Sequence, residues 1–373
     1  MIGQKDFTSH VQGASQSGLY QPAHLIFDSS GNLWVTDYGN NRVLEFVPPF
    51  SIGMQASLVI GQPNFETSTP GTSQSGLNGQ GGLAVDPSGN LWVADYGNNR
   101  VLEFRPPFST GMPASLVIGQ KDFTHAFAGT GSKDKLFRPN VVVFDRSNNL
   151  WVYDGGNHRV LEFNPPFSNG MSASLVIGQP DFETNRLSIS QSGFSASLGD
   201  VAFDPSGDLW VGDNSRVLEF RTPFSNGMNA SLVIGQVSFT TQVASAGRTG
   251  LSGAFITTDS AGNLWVADYG NNRLLEFEPP FSSDMGASLV IGQPDFNSSV
   301  AATTQSGFTA PVHPLFDSSG SLWVPDFNNN RVLEFTSTPV PEFPTASLAI
   351  VAMVSLAVVA IVSRKFSMPR LGR

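Results

Sequence analysis

The chain contains no cysteine, which removes disulfides, thiolate metal centres and a cysteine nucleophile from consideration. Charge is sparse as well: Asp, Glu, Lys and Arg make up 13% of the 373 residues. Sustained helical periodicity is missing until about the last thirty residues, so a helical bundle or an alternating α/β fold is excluded for the body of the chain. Neither a Gly-x-Ser-x-Gly elbow nor a Ser-His-Asp order nor a phosphate-cradling glycine loop is present. What charge there is leans acidic, with a net value of −10. The tail after Ser363 holds Arg364, Lys365, Arg370 and Arg373 and no acid. Everything upstream therefore carries 16 basic against 30 acidic residues, a net −14 that repels phosphate backbones and argues against nucleic-acid binding.

What the chain does have is repetition. Its 38 glycines and 25 prolines suit many short strands joined by turns. All six tryptophans fall in one recurring phrase, as Trp34, Trp92, Trp151, Trp210, Trp265 and Trp323, with spacings of 58, 59, 59, 55 and 58 residues. Each unit reads as four strands: an apolar first strand such as Val141 to Phe144, a second around Leu91-Trp92-Val93, a third from Arg100 to Phe104, and a fourth from Ser115 to Ile118. An Asp-x-x-Gly turn (Asp86 to Gly89) separates the first two, and a Gly-Asn-Asn turn the next two. Gly and Asn stand where a turn requires positive φ. Six such units predict an all-β, six-bladed propeller closed radially, which leaves only short protected edges.

The phrase Leu91-Trp92-Val93-Ala94-Asp95-Tyr96-Gly97-Asn98-Asn99-Arg100-Val101 resembles the NHL-repeat signature, and the likeness extends over roughly residues 1–338. The fourth repeat is degenerate, since Asp213-Asn214-Ser215-Arg216 has lost turn residues. The resemblance implies a six-bladed propeller whose strands run in order from a central channel outward. The last repeat stops after Phe335 without a fourth strand, whereas the chain opens on Met1-Ile2-Gly3-Gln4, the end of one. The N-terminal segment is therefore expected to complete the last blade, and the N-terminus is read as truncated, with its export signal missing.

Residues 339–344 read Pro-Val-Pro-Glu-Phe-Pro, and an uncharged run follows from Thr345 to Ser363. Nineteen residues at about 1.5 Å each span about 28 Å, close to a bilayer's hydrocarbon core. The basic tail at 364–373 is expected in the cytoplasm, which places the propeller outside the cell. A Pro-Glu-Phe motif before an apolar helix and a short basic tail resembles the PEF-CTERM sorting signals of archaeal surface proteins. That resemblance implies recognition of Pro341, Glu342, Phe343 and Pro344 by an archaeosortase-like processing enzyme. A stiff proline stalk before a permanent anchor is the plainer reading. Asn297 and Asn229 begin sequons, and Asn229, which abuts a strand, is expected to be the less accessible.

The aspartates and arginines that recur in every repeat, Asp37 and Arg42 in the first, read as blade-building groups, since a site normally breaks symmetry. The tryptophans read as inter-blade packing. Ten residues before each Trp, the channel register holds His24, Gly82, Val141, Asp200, Phe255 and His313. Two imidazoles with Asp200 form a candidate divalent-metal set, as in some NHL-type lyases, although Asp200 is expected across the channel from blade one. The connections between blades, about twenty residues long and rich in Ser, Thr, Gly and Gln, are the candidate binding surface. The leading expectation is a membrane-anchored extracellular module, without cofactor, for an unnamed protein or glycan ligand. The alternatives are an extracellular enzyme, a metal-dependent lyase or lactone hydrolase working in the channel, and a structural envelope component.

Overall fold

The computed structural model describes residues 1–196 and 198–336. The expectations for 339–373 lie outside them; among the described residues no helix is long and apolar enough to cross a membrane. The described chain folds as six antiparallel sheets, five of four strands and one of three. In the second blade the strands are Gln80–Val85, Leu91–Asp95, Arg100–Phe104 and Leu116–Ile118, paired in chain order. The other inner strands are Pro22–Phe27, Pro139–Phe144, Gly199–Phe203, Phe255–Thr258 and the short Leu315–Phe316. Gly89 at φ +81° and Asn99 at φ +56° occupy the left-handed positions of the two turns.

A single ion pair repeats through all six blades. The aspartate ending the second strand (Asp37, Asp95, Asp154, Asp213, Asp268, Asp326) accepts from the Nε of the arginine opening the third, at 2.7–2.9 Å. All twelve side chains are fully buried. The other aspartate oxygen accepts a backbone N–H from the connection that precedes the blade, at 2.6–2.8 Å. The two remaining guanidinium nitrogens donate to carbonyls of both flanking connections: Arg100 reaches Ser73 and Gly76 before it and Phe123 after it. The phenylalanine after each Ile-Gly-Gln thus gives its carbonyl to the arginine, while its ring packs on the blade core, as Phe123 does. One planar group with five donors fastens a blade to its two loops.

Burial has a cost here. It pushes the Asp37 carboxyl up to about 6, against the pull of Arg42 and the surrounding donors. Asp95, Asp154, Asp268 and Asp326 are raised for the same first reason. Such pairs add little net stability over an apolar substitute, but they are expensive to break from one side.

The first-turn aspartates do more than start a turn. In each blade one carboxylate oxygen caps two backbone N–H groups, as Asp86 does for Ser88 and Asn90. The other accepts the indole N–H of the tryptophan six residues on, at 2.9–3.1 Å. With its one polar atom satisfied, the indole lies in the blade interface. Trp34, Trp92, Trp151 and Trp210 meet Phe108, Phe167, Phe224 and Phe281 of the next blade edge-on, with centroids 4.8–5.0 Å apart. Trp323 meets Phe50 in the same way at 5.1 Å, so blade six packs on blade one.

The N-terminal segment lies against the last blade. Ile2 exchanges both backbone hydrogen bonds with Val332, at 2.9 and 3.0 Å, as an isolated bridge and not a full strand. Arg331 donates to the Phe7 carbonyl at 2.6 Å, and Asn330 to that of His10 at 2.9 Å. Residues 1–21 therefore serve as the connection from blade six into blade one.

Replacing Arg100 with Met leaves the buried Asp95 carboxylate unpaired and is expected to lower the unfolding free energy by about 3–5 kcal/mol. The double variant R100M/D95N should recover part of that loss in urea titrations. An unchanged R100M midpoint would remove the arginine from the role given to it.

Candidate functional site

The six inner strands surround the channel, and two cavities of about 340 Å³ each open from it. One lies on the face that carries the inter-blade connections, since the turns lining it are hydrogen-bonded to those connections, as in Gly97 N–H to the Asn78 carbonyl at 2.8 Å. Its walls come from the residue that follows the recurring aspartate: Tyr38, Tyr96, Tyr269 and Phe327 in blades one, two, five and six. Blades three and four place Gly155 and Asn214 there, so the wall is aromatic on one side only. Phe255 and the exposed Leu198 add apolar surface. Burial raises the Tyr38 phenol above its usual range; the neighbouring Tyr96 adds to the rise and Arg138 opposes it. Arg138 also lies 5.8 Å from the centre of the Tyr96 ring.

The second cavity is the lower channel, lined by inner-strand residues such as Ile26, Val85, Phe144 and Leu315. His313 lines both cavities and marks the waist between them. Of the register read ten residues before each Trp, His24, Asp200, Phe255 and His313 come together at this waist. His313 Nδ1 is 3.0 Å from Asp200 Oδ2, a contact that joins blade six to blade four. The reason is local. The inner strand of blade six is reduced to Leu315–Phe316, and His313, outside the ladder, adopts φ +34°, a strained value for a side chain with a Cβ. That bend brings the imidazole into the channel, with ring centroids 4.5 Å from Phe255 and 4.8 Å from His24.

Hydrogen bonds assign the protons. Asp200 is buried and accepts the amide N–H groups of Val201 (2.8 Å) and Ile256 (2.6 Å). As a carboxylate it can only accept, so His313 donates from Nδ1, and the lone pair of a neutral ring is then on Nε2. His24 is the reverse: its Nδ1 accepts the Leu83 N–H at 3.3 Å, leaving the proton on Nε2. Loss of hydration, with His313 alongside, holds His24 well below the usual histidine range.

As a metal set, His313 meets both Asp200 and His24, but the three do not gather around one point. Among the described residues, the only three such groups whose ligand atoms lie within 4.8 Å of one another are Asp204, Asp208 and Glu219, on the rim of blade four. Glu219 there already accepts from Ser231 and Arg221, and Asp208 from the Thr222 amide. Both sequon asparagines are exposed; the expectation that Asn229 is shielded by its strand is corrected, because Leu232 begins that strand three residues later.

The aromatic wall was not singled out in the sequence. Its trace there is the position four residues after each Trp, aromatic in four of six repeats, which had been absorbed into the turn phrase.

The fold and its channel define a β-propeller of four-stranded blades. Residues 81–104 match the NHL repeat family model, so the chain carries an NHL repeat. Among characterised proteins it is similar to peptidyl-glycine alpha-amidating monooxygenase of Mus musculus, 33% identical over 221 residues, which is 58% of this chain and 20% of that one. It is also similar to peptidyl-glycine alpha-amidating monooxygenase B of Xenopus laevis, 26% identical over 222 residues, covering 58% and 22%. The chain spans about a fifth of the length of these relatives. A Bacteroides thetaiotaomicron protein of unknown function has a similar solved structure, with a TM-score of 0.56, 16% identity and coverage of 90% and 74%. An auxiliary nutrient binding protein of the same organism gives 0.55, 12%, and 89% and 74%. Likeness at this identity speaks for the fold.

With His24 neutral inside the fold, its contribution to stability is fully present above the unfolded histidine value of about 6.5 and is lost as pH falls through the lower folded value. Melting temperature is therefore expected to drop as pH is lowered below about 6.5. His24→Asn, whose Oδ1 can still accept the Leu83 N–H, should flatten that drop. A wild-type melting profile level down to pH 5 would contradict the assignment.

Proposed function

We propose that this protein is a surface-attached binding module that takes up its ligand on the face carrying the inter-blade connections. The observation that carries the reading is the one-sided aromatic wall of the upper channel. Six near-identical blades have no structural need for it, and Tyr269 remains 37% exposed and Leu198 56% exposed. Apolar rings left open beside polar loops characterise ligand sites on rigid scaffolds. The loops offer a second layer of Ser, Thr and Gln side chains to a protein or glycan reaching over the mouth. The acidic body disfavours nucleic acid as that partner.

Residues 345–363 supply the membrane attachment in this reading, with the propeller outside the cell and 364–373 in the cytoplasm. Pro341, Glu342, Phe343 and Pro344 form the element that an archaeosortase-like enzyme recognises and processes. Asn297 and Asn229, both exposed, are the acceptors for surface glycosylation.

A second reading, an extracellular propeller enzyme of the lyase or lactone-hydrolase kind, is favoured by the Asp200–His313 pair, which presents an oriented base to the channel. In its metal-dependent form, His24, His313 and Asp200 would hold a divalent ion after a small closure about the waist.

The two readings separate on metal content and binding. A binding module should purify without stoichiometric zinc, iron or calcium, and Tyr269→Ala should weaken at least tenfold whatever partner a glycan and surface-protein screen of the full chain retrieves. Stoichiometric metal that disappears in H24N/H313N would favour the enzyme. For the attachment, the full chain should sediment with membranes, and an intact mass that still includes Arg373 would refute processing at 341–344.

A further inference from the structure

The upper channel combines an aromatic wall with an imidazole at its floor. We infer that together they form one site for a small aromatic alcohol, whose ring lies among Tyr38, Tyr269, Phe327 and Phe255 and whose hydroxyl donates to Nε2 of His313. The inference rests on the reading of this face as the binding face and adds the ligand's chemistry to it.

The floor sets the polar requirement. Asp200 accepts a hydrogen bond from the Nδ1–H of His313, so Nε2 of the neutral ring carries a lone pair, and that atom makes no hydrogen bond to the described residues. His313 is held in this orientation by a carboxylate that two backbone amides fix in turn, and by the Phe255 ring 4.5 Å away. An acceptor held this firmly and without a protein partner is open to a ligand's donor. The backbone strain at φ +34° fits the same role, because a simple channel plug would not need it.

The wall sets the apolar requirement. Its surface is mostly apolar, and the polar side-chain groups on it besides His313 are the hydroxyls of Tyr38, Tyr96 and Tyr269 and the amides of Asn140 and Asn214. The Asn140 amide already donates to the Gly199 carbonyl at 2.5 Å. A sugar ring would set a rim of hydroxyls against a lining that is mostly apolar. A flat aromatic ring with a single hydroxyl matches the apolar rings and brings one donor to the oriented acceptor at the floor. Edge and face contacts with tyrosine and phenylalanine suit such a ring.

The test uses the full chain and three probes, followed by calorimetry at pH 7.5: 2-naphthol, 2-methoxynaphthalene and glucose. The expected result is binding of 2-naphthol about five- to tenfold more tightly than its methyl ether, the equivalent of one hydrogen bond, with no binding of glucose. His313→Asn, which tolerates positive φ, should abolish the preference while leaving the ether's affinity unchanged. Equal affinities for naphthol and ether in the wild type would overturn the role of His313, and absence of binding by either would overturn the site. Either result leaves the loop-face reading standing if the glycan and protein screen retrieves a Tyr269-dependent partner. An unchanged melting temperature in His313→Asn separates a lost preference from a lost fold.

Discussion

The buried aspartate–arginine pair is the constraint on which the rest of this propeller depends. Each arginine spends its Nε on the aspartate of its own blade and its terminal nitrogens on the carbonyls of the two flanking connections. Long loops poor in regular structure are thereby turned into fixed parts of the disc. The pair is a device of position more than of net stability, since burial itself raises the aspartates. It ensures that the turn after the second strand always faces the channel mouth, and that turn supplies the aromatic wall.

A second repeated device works on the opposite face. The first-turn aspartate satisfies the indole N–H and frees the tryptophan to fill the blade interface, where a phenylalanine of the next blade meets it edge-on. In blade six the partner is Phe50 of blade one. The N-terminal segment adds to this contact through Ile2, Phe7 and His10, so the ring is joined by the same groups that serve every other connection. Symmetry accounts for the scaffold, and the departures from symmetry mark the site. Gly155 and Asn214 open one side of the wall, and the shortened inner strand of blade six lets His313 bend into the channel.

Much of this was readable from one sequence because a propeller contact repeats at the repeat period. The third strand Arg100–Phe104 has the bounds read from the sequence, and the blade-building role of the recurring aspartates and arginines follows from their appearing in every unit. The waist was legible only in part. Counting back from each Trp found His24, Asp200 and His313, yet it placed Asp200 only relative to blade one and did not foresee its pairing with His313. The Asp86–Trp92 bond was missed because spacing alone does not tell an aspartate that caps a turn from one that also reaches an indole.

Sequence by itself determined the number of blades, the strand order and the residues that build each blade, because those depend on short-range alternation and turn chemistry repeated six times. It also supplies the apolar run and basic tail on which the proposed attachment rests. Tertiary structure alone decided which of the non-repeating residues meet. The pairing of His313 with Asp200 spans 113 positions and depends on a backbone bend that no local pattern encodes. The aromatic wall, likewise, becomes a wall only when four turns from distant parts of the chain are brought around one channel.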